Sequence, residues 1–280
     1  MLRVTEEVVN LSNGNKIIVF GKKGNDSIDI TIPNILFQGK NNVLALEIGV
    51  KFSNTRINFL GSDSLAVIGK QFGAAIMINW TLLNRCTIIL GKGSYTSGVL
   101  NIIASEAKSV LIGNNCLFSF GIWIRTSDVH LIMDLDNVNR INFARNINIG
   151  SNVWIGQNVS ILKGTMIGSG SVIGLGSIVS GRIDSNVVAA GNPAKILKDN
   201  IFWDRASAHA YVNDEDYLIN INNLKKEGPS LNFSKLEDNS DSFISFVNGL
   251  KELDALSRFK LVDSKSTITE NLVIKSNSNI

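Results

Sequence analysis

Residues 149–179 read IGSNVW IGQNVS ILKGTM IGSGSV IGLGSI V. Branched aliphatics stand at Ile149, Ile155, Ile161, Ile167, Ile173 and Val179, a constant spacing of six. Glycine follows at 150, 156, 168 and 174, with Leu162 the exception. Four residues past each aliphatic comes Val153, Val159, Thr165, Ser171 or Ser177. A helix needs apolar recurrence near 3.6 and a half-buried strand needs alternation, so neither accounts for a sustained period of six. One bulky apolar position per short fixed repeat means a chain coiled so that equivalent side chains stack, as in a parallel β-helix. Three hexads then close one triangular turn, which sets Ile149 under Ile167 and Ile155 under Ile173. The small residue lets the chain round each corner, and glycine supplies backbone freedom that a Cβ restricts.

The repeat runs on into Ala189-Ala-Gly-Asn-Pro-Ala-Lys195. Together with Val153-Trp-Ile-Gly156 and the AGNPAK of residues 190–195, it resembles the hexapeptide-repeat acyltransferases. That resemblance implies a mainly all-β chain folded as a left-handed parallel β-helix, a known exception to right-handed crossovers. The expected organisation is cap strands over residues 1–40, the β-helix over 41–194, and a helical extension with a polar linker over 195–280.

Composition narrows the class. At 280 residues with 44% hydrophobic side chains, the chain is long enough for a substantial core. No run of 18 apolar residues occurs, and the opening MLRVTEEVVN has charges where a signal peptide is apolar. A cytoplasmic protein with no transmembrane segment is the expectation. A net charge of +3, with no basic stripe interleaved with aromatics, argues against a nucleic-acid partner. Cys86 and Cys116 are too few for a disulfide framework. Cys116 falls at the small corner position of Ile112-Gly-Asn-Asn-Cys116 and reads as a packed small hydrophobe.

Taken from the N-terminus, Val8–Leu11 and Lys16–Phe20 flank Ser12-Asn13-Gly14-Asn15, a hairpin pattern. Residues 28–32 alternate as a further strand before Pro33. This portion is expected to close the open end of the coil. Between residues 42 and 128 the six-residue rhythm is degraded. Leu60-Gly61, Ile68-Gly69, Leu90-Gly91 and Ile112-Gly113 mark turns, with Phe118 and Ile124 in phase with the last. Phe72–Leu83 and Gly93–Asn101 read as insertions. A segment of about a dozen residues from Ser127 leaves the repeat, which resumes near Ile147; long excursions from a regular scaffold are where function concentrates. After Pro193, Lys195–Ala210 is expected to be a capping helix. Residues 222–242 read as a linker. Phe243, Phe246, Val247, Leu250, Leu253 and Leu256 form an amphipathic helix expected to pack on the coil, and the chain from Ser264 is expected to be loosely ordered.

The excursion contains His130, one of two histidines. An imidazole titrating near neutrality suits a general base that takes a hydroxyl proton during acyl transfer, a contribution of ~10²–10⁴-fold. Asp128, Asp134 or Asp136 is placed to bind the other ring nitrogen, and spacing leaves open which. The Ser127-Asp-Val-His130 sequence followed by Asp134 and then VWIG resembles the subgroup that acetylates sugars and polysaccharides. The resemblance implies acetyl-CoA as cosubstrate, no metal, and His130 as the catalytic histidine with Asp128 beside it. It implies that Trp154 lines the thioester site, where a ring packed between coils or at a subunit contact is the plainer alternative. It maps the acyl-carrier arm onto Gln157, Leu175 and Ser180, and the nucleotide phosphates onto Lys195 and Lys198. Lysine here is a point charge without the bidentate geometry of arginine. Leu175 is a departure, since relatives commonly have IGAGS at this hexad. Trp80, Trp123 and Trp203 lack motif context and are assigned to packing or acceptor contact. The resemblance also implies a homotrimer with sites between adjacent prisms.

Three function classes follow. The leading one is an O-acetyltransferase acting on a sugar hydroxyl of a bacterial surface polysaccharide, by direct transfer. An N-acyltransferase for a nucleotide-linked amino sugar is the enzymatic alternative, and a β-helical binding scaffold the non-enzymatic one. The same coil builds γ-type carbonic anhydrases, but their zinc takes three histidines, which His130 and His209 supply poorly.

Overall fold

The computed structural model describes residues 7–21, 34–71, 75–205, 207, 209, 211 and 253–264. Their backbone winds as a triangular prism, a left-handed parallel β-helix. The first face holds β1 (Glu7–Asn10), β2 (Lys16–Phe20), β4 (Val43–Glu47), β6 (Leu65–Ile68), β8 (Thr87–Leu90), β11 (Ser109–Ile112), β14 (Ile147–Ile149), β17 (Met166–Ile167) and β20 (Arg182–Ile183). The second holds β3 (Asn34–Phe37), β5 (Arg56–Phe59), β7 (Ile78–Leu82), β10 (Leu100–Ala104), β13 (Trp123–Arg125), β16 (Ser160–Ile161) and β19 (Ile178–Val179). The third holds β9 (Tyr95–Thr96), β12 (Leu117–Phe118), β15 (Trp154–Ile155), β18 (Val172–Ile173), β21 (Val188–Gly191) and β22 (Ala194–Lys198).

The hexad reading holds in its details. Ile149 pairs with Ile167, Ile155 with Ile173 and Ile161 with Val179, and all six side chains are fully buried. The small polar corner residues are buried too, and bond to backbone. Thr165 donates to the Leu162 and Val179 carbonyls, Ser171 to Asp184 and Ser177 to Gly174. Their hydroxyls therefore round the corner without leaving a buried donor unpaired. The glycine column is required by close approach: a Cβ on Gly113 would meet the corner of the next coil at Gly150 and Ser151.

The N-terminal half differs from the expectation of a degraded repeat. Leu46, Ile68, Leu90 and Ile112 are successive parallel partners, each 22 residues from the last, whereas Ile149 and Ile167 stand 18 apart. Phe72–Leu83 and Gly93–Asn101 are therefore not insertions interrupting the coil; β7, β9 and part of β10 lie within them. First- and second-face strands four to five residues long make a broader prism, and Phe59 and Trp80 fill it at zero exposure. Large side chains in place of one aliphatic per hexad are what hid the rhythm.

The expected hairpin forms, with β1 antiparallel to β2 and Asn13 in the left-handed region. The expected strand over residues 28–32, the linker and most of the amphipathic stripe lie outside the described residues. The expected helix over Lys195–Ala210 is a correction. Lys195–Lys198 belong to β22, antiparallel to β21, because the open edge of the third face offers backbone partners that a helix would leave unpaired.

Among the described residues the α-helix is α1 (Ala255–Ser264), and it packs on the outside of the first face. Asp254 caps it by accepting from the Ser257 amide at 2.9 Å. Ala255 and Phe259 are buried against Ile18, Val43, Leu65, Val67 and Ile89, and the Phe259 ring meets Phe20 edge-on at 5.5 Å. The fully buried Arg258 donates to the Arg85 and Cys86 carbonyls, to Thr87 Oγ1 and to the Asp63 carbonyl, tying two coil corners together. None of these described helical residues forms a span long and apolar enough to cross a membrane. Arg258→Met, which keeps the volume and removes the donors, is expected to lower stability by about 1.5–3 kcal/mol in urea unfolding.

Candidate active site

The coil from Ile112 to Ile149 takes 37 residues. The surplus leaves the prism after β13, at the corner where the second face passes to the first. Thr126 and Arg145 form its neck, the Arg145 amide donating to the Thr126 carbonyl at 3.0 Å. Beyond the neck the chain folds back on itself. Ile141 donates to the Ile132 carbonyl at 2.9 Å, Met133 bridges Arg140, and the Asp134 carboxylate accepts from the Asp136 and Asn137 amides to close the tip.

Asn142 holds this flap together and is nearly buried. Its Oδ1 accepts from the Ile132 amide at 2.9 Å and from Arg140 Nε at 3.3 Å. Its Nδ2 donates to Asp128 Oδ2 at 2.9 Å and to the His130 carbonyl at 2.8 Å. Two ion pairs pin the flap to neighbouring coils. Arg140 meets Glu106 bidentately at 2.7 and 2.8 Å. Lys163, one coil on, pairs with Asp128 and donates to the Asn142 carbonyl at 3.1 Å. Lys163 first and Asn142 second hold the Asp128 carboxyl below its usual range, and Arg140 does the same for Glu106.

His130 is exposed on this flap. The expected carboxylate partner is not where spacing suggested. Asp128 is engaged by Lys163 and Asn142, and Asp134 by the tip. Asp128 thus holds the backbone around the histidine, and no described carboxylate bonds the ring. The flap's apolar side chains point outward: Val129, Leu131, Ile132, Met133, Leu135, Val138, Ile141 and Phe143 are all exposed.

The remaining predicted residues divide between places. Ser180 follows β19 at the flap's own corner, stacked on Leu162. Gln157 and Leu175 stack at the opposite edge of the second face, where the Gly176 amide donates to the Gln157 carbonyl at 2.7 Å. Trp154 is on the third face, 40% exposed and so not packed between coils. Its ring lies 6.0 Å from Trp203, whose Nε1 donates to the Asn152 carbonyl at 2.8 Å. Trp154, Val172, Val188 and Lys198 are successive partners in one row. Three strand spacings separate the ring from the lysine, about 14 Å. Lys195 is exposed on the same strand as Lys198. Within one chain, then, the second face stands between His130 and Trp154.

Asn142, Glu106, Arg140 and Trp203 carried no legible pattern in the sequence. Lys163 did: its hexad is the one lacking glycine after the aliphatic.

No family model matches the chain. The crystal structure of the polySia-specific acetyltransferase NeuO is 34% identical, with a TM-score of 0.57 over 68% of this chain and 88% of that one. The polysialic acid O-acetyltransferase OatWY is 26% identical, with a TM-score of 0.50 over 67% and 93%. The chain belongs to the hexapeptide-repeat acyltransferase family, in its sugar O-acetyltransferase subgroup. The curated polysialic acid O-acetyltransferase of Escherichia coli O1:K1 / APEC is 37% identical over 128 residues, 46% of this chain but only 41% of that protein.

Asn142→Ala is expected to speed hydrogen exchange at the Ile132 and Ile141 amides about tenfold or more, leaving Ile149 unchanged. Because the Asp128 pKa is lowered in the fold, its pairing contributes fully above the ordinary aspartate value of about 3.9 and is lost as pH falls through the folded value. Flap protection is therefore expected to be flat from pH 7 to 5 and to fall only in stronger acid, while Asp128→Asn weakens it at pH 7.

Proposed function

We propose that the chain transfers an acetyl group from acetyl-CoA to a sugar hydroxyl of a bacterial surface polysaccharide, with His130 as general base. The observation that carries the reading is the break in an otherwise regular prism, which presents an exposed imidazole on a flap braced from both neighbouring coils. The likeness to NeuO over 88% of that chain supports it.

The exposed Trp154 ring and the cationic end of its row suit an acyl-carrier arm laid along the third face, the phosphates meeting Lys195 and Lys198. Gln157 and Leu175 border that path. The acceptor oxygen attacks the thioester carbonyl while His130 Nε2 or Nδ1 takes its proton. As the C–O bond forms and the C–S bond breaks, the same proton passes to the departing sulfur. The carbon is already activated, so no covalent enzyme intermediate is required. Asn142 and Asp128 act as positioning residues through the backbone on either side of the histidine.

Because His130 and Trp154 lie on opposite sides of the second face, a complete site takes His130 and Ser180 from one prism and Trp154 from its neighbour. A homotrimer provides this, and the eight exposed apolar side chains of the flap are the surface it would bury. The setting is the cytoplasm, where acetyl-CoA is available. Within this reading an amino-sugar acceptor differs only in the nucleophile.

His130→Ala is expected to leave a folded trimer that binds CoA and transfers acetyl at least ~100-fold more slowly. Undiminished turnover would remove the base assignment. Lys195→Ala combined with Lys198→Ala is expected to raise the acetyl-CoA KM with little change in kcat, as loss of uniform binding does.

A further inference from the structure

After β22 the chain turns back along the prism, on the edge where the first face passes to the third. Ile201–Arg205 run over that edge as a strap tied to three of its corners. The Ile201 amide donates to the Asn186 carbonyl at 2.9 Å, and Asn186 Nδ2 donates to the Ile201 carbonyl at 3.0 Å. Trp203 Nε1 donates to the Asn152 carbonyl and Arg205 Nη2 to the Gly93 carbonyl, each at 2.8 Å. These corners lie on every second coil, as the ladder Asn186 to Ser169, Gly170 to Ser151, Asn152 to Asn114 and Asn115 to Lys92 shows. The strap therefore bridges four coil spacings, about 19 Å.

Trp203 is 8% exposed and its neighbour Phe202 57%, so the strap turns one indole inward and leaves the adjacent ring outside. That indole lands beside Trp154, with centroids 6.0 Å apart and planes at 48°, inside the range of attractive aromatic pairs. Trp154 projects from a strand, where two χ1 rotamers are common. Its row neighbours Leu117 and Val172 bound it along the prism axis. Trp203 bounds it across the axis, from the Asn152 corner.

We infer that Trp203 is a positioning residue for acetyl transfer: the strap seats its indole against Trp154 and thereby fixes the plane in which that ring meets the thioester. The inference rests on the acetyl-transfer reading for the role of Trp154, but not for the packing of the pair. A ring held in one rotamer offers the attacking oxygen one geometry, and misplacement on this scale costs rate more than binding. Lys198 precedes Trp203 by five residues, so one stretch of chain serves both the phosphate end and the acyl end of the carrier.

The test joins a double-mutant cycle to fluorine NMR of the full chain labelled with fluorotryptophan. With acetyl-CoA and a sialic acid oligomer as acceptor probe, Trp203→Ala is expected to lower kcat about tenfold while the CoA Kd stays within about twofold. Trp203→Phe is expected to recover most of the loss. In a Trp154→Ala background, Trp203→Ala is expected to cost nothing further. The Trp154 resonance, assigned from its absence in Trp154→Phe, is expected to be a single line in the wild type and split or broadened in Trp203→Ala. Thermal unfolding controls for the fold, and Trp203→Leu replaces the alanine variant if that one does not fold. An equal loss of kcat in both backgrounds, or a Trp154 line that Trp203→Ala leaves unchanged, would overturn the inference. A wild-type chain without turnover but with the expected lines would sink the acetyl-transfer reading and leave the seating of Trp154 by Trp203 standing.

Discussion

The structure depends on one constraint: each coil hydrogen-bonds to the next along the prism axis, so every residue must sit directly above its equivalent. Ile149, Ile167 and Ile183 meet that constraint on the first face, and Ile155, Ile173 and Ala189 on the third. A side chain that does not fit its column disturbs two coils at once, which is why the interior admits so few residue types where the prism is narrow. Where it widens, Phe59 and Trp80 enter because the second-face strands that carry them lengthen to four and five residues. Regularity is thus enforced by packing and backbone pairing together, and any departure from it must be held by other means.

The flap is such a departure, and its bracing is polar. Removed from the ladder of coils, its backbone finds partners in Asn142, in the Asp134 side chain and in its own short hairpin. Two ion pairs, Arg140 with Glu106 and Lys163 with Asp128, anchor it from opposite coils. Exposed pairs of this kind contribute little to global stability. Their effect is geometric, since the carbonyl of His130 and the carboxylate two residues before it are both held by one amide. The flap's apolar side chains face away from the parent prism.

That arrangement connects the fold to the division of the candidate site. One prism offers an imidazole at the corner between its second and first faces. It offers an exposed tryptophan, with two lysines above it, on its third face. The second face lies between these elements. The helix α1 covers part of the first face.

The hexads from Ile149 to Val179 were legible because they occur where the coil is narrow enough for period six to be strict. The hairpin at Ser12–Asn15 was legible because Asn-Gly encodes a local backbone conformation. His130 stood out as a histidine placed where the repeat breaks. By contrast, Phe72–Leu83 and Gly93–Asn101 in the wide coils read as insertions although they carry strands, since a 22-residue turn has no short period to detect. Lys195–Lys198 appeared helical because propensity is local, whereas the edge of the third face that claims them is assembled by distant strands. The partner of Asp128 was beyond reach for the same reason. Sequence alone thus determined the stacking rule and the place where it fails, both being properties of neighbouring residues. Only the tertiary structure decided what braces the flap and which predicted residues share a face, because columns in a prism join residues 18, 22 or 37 positions apart.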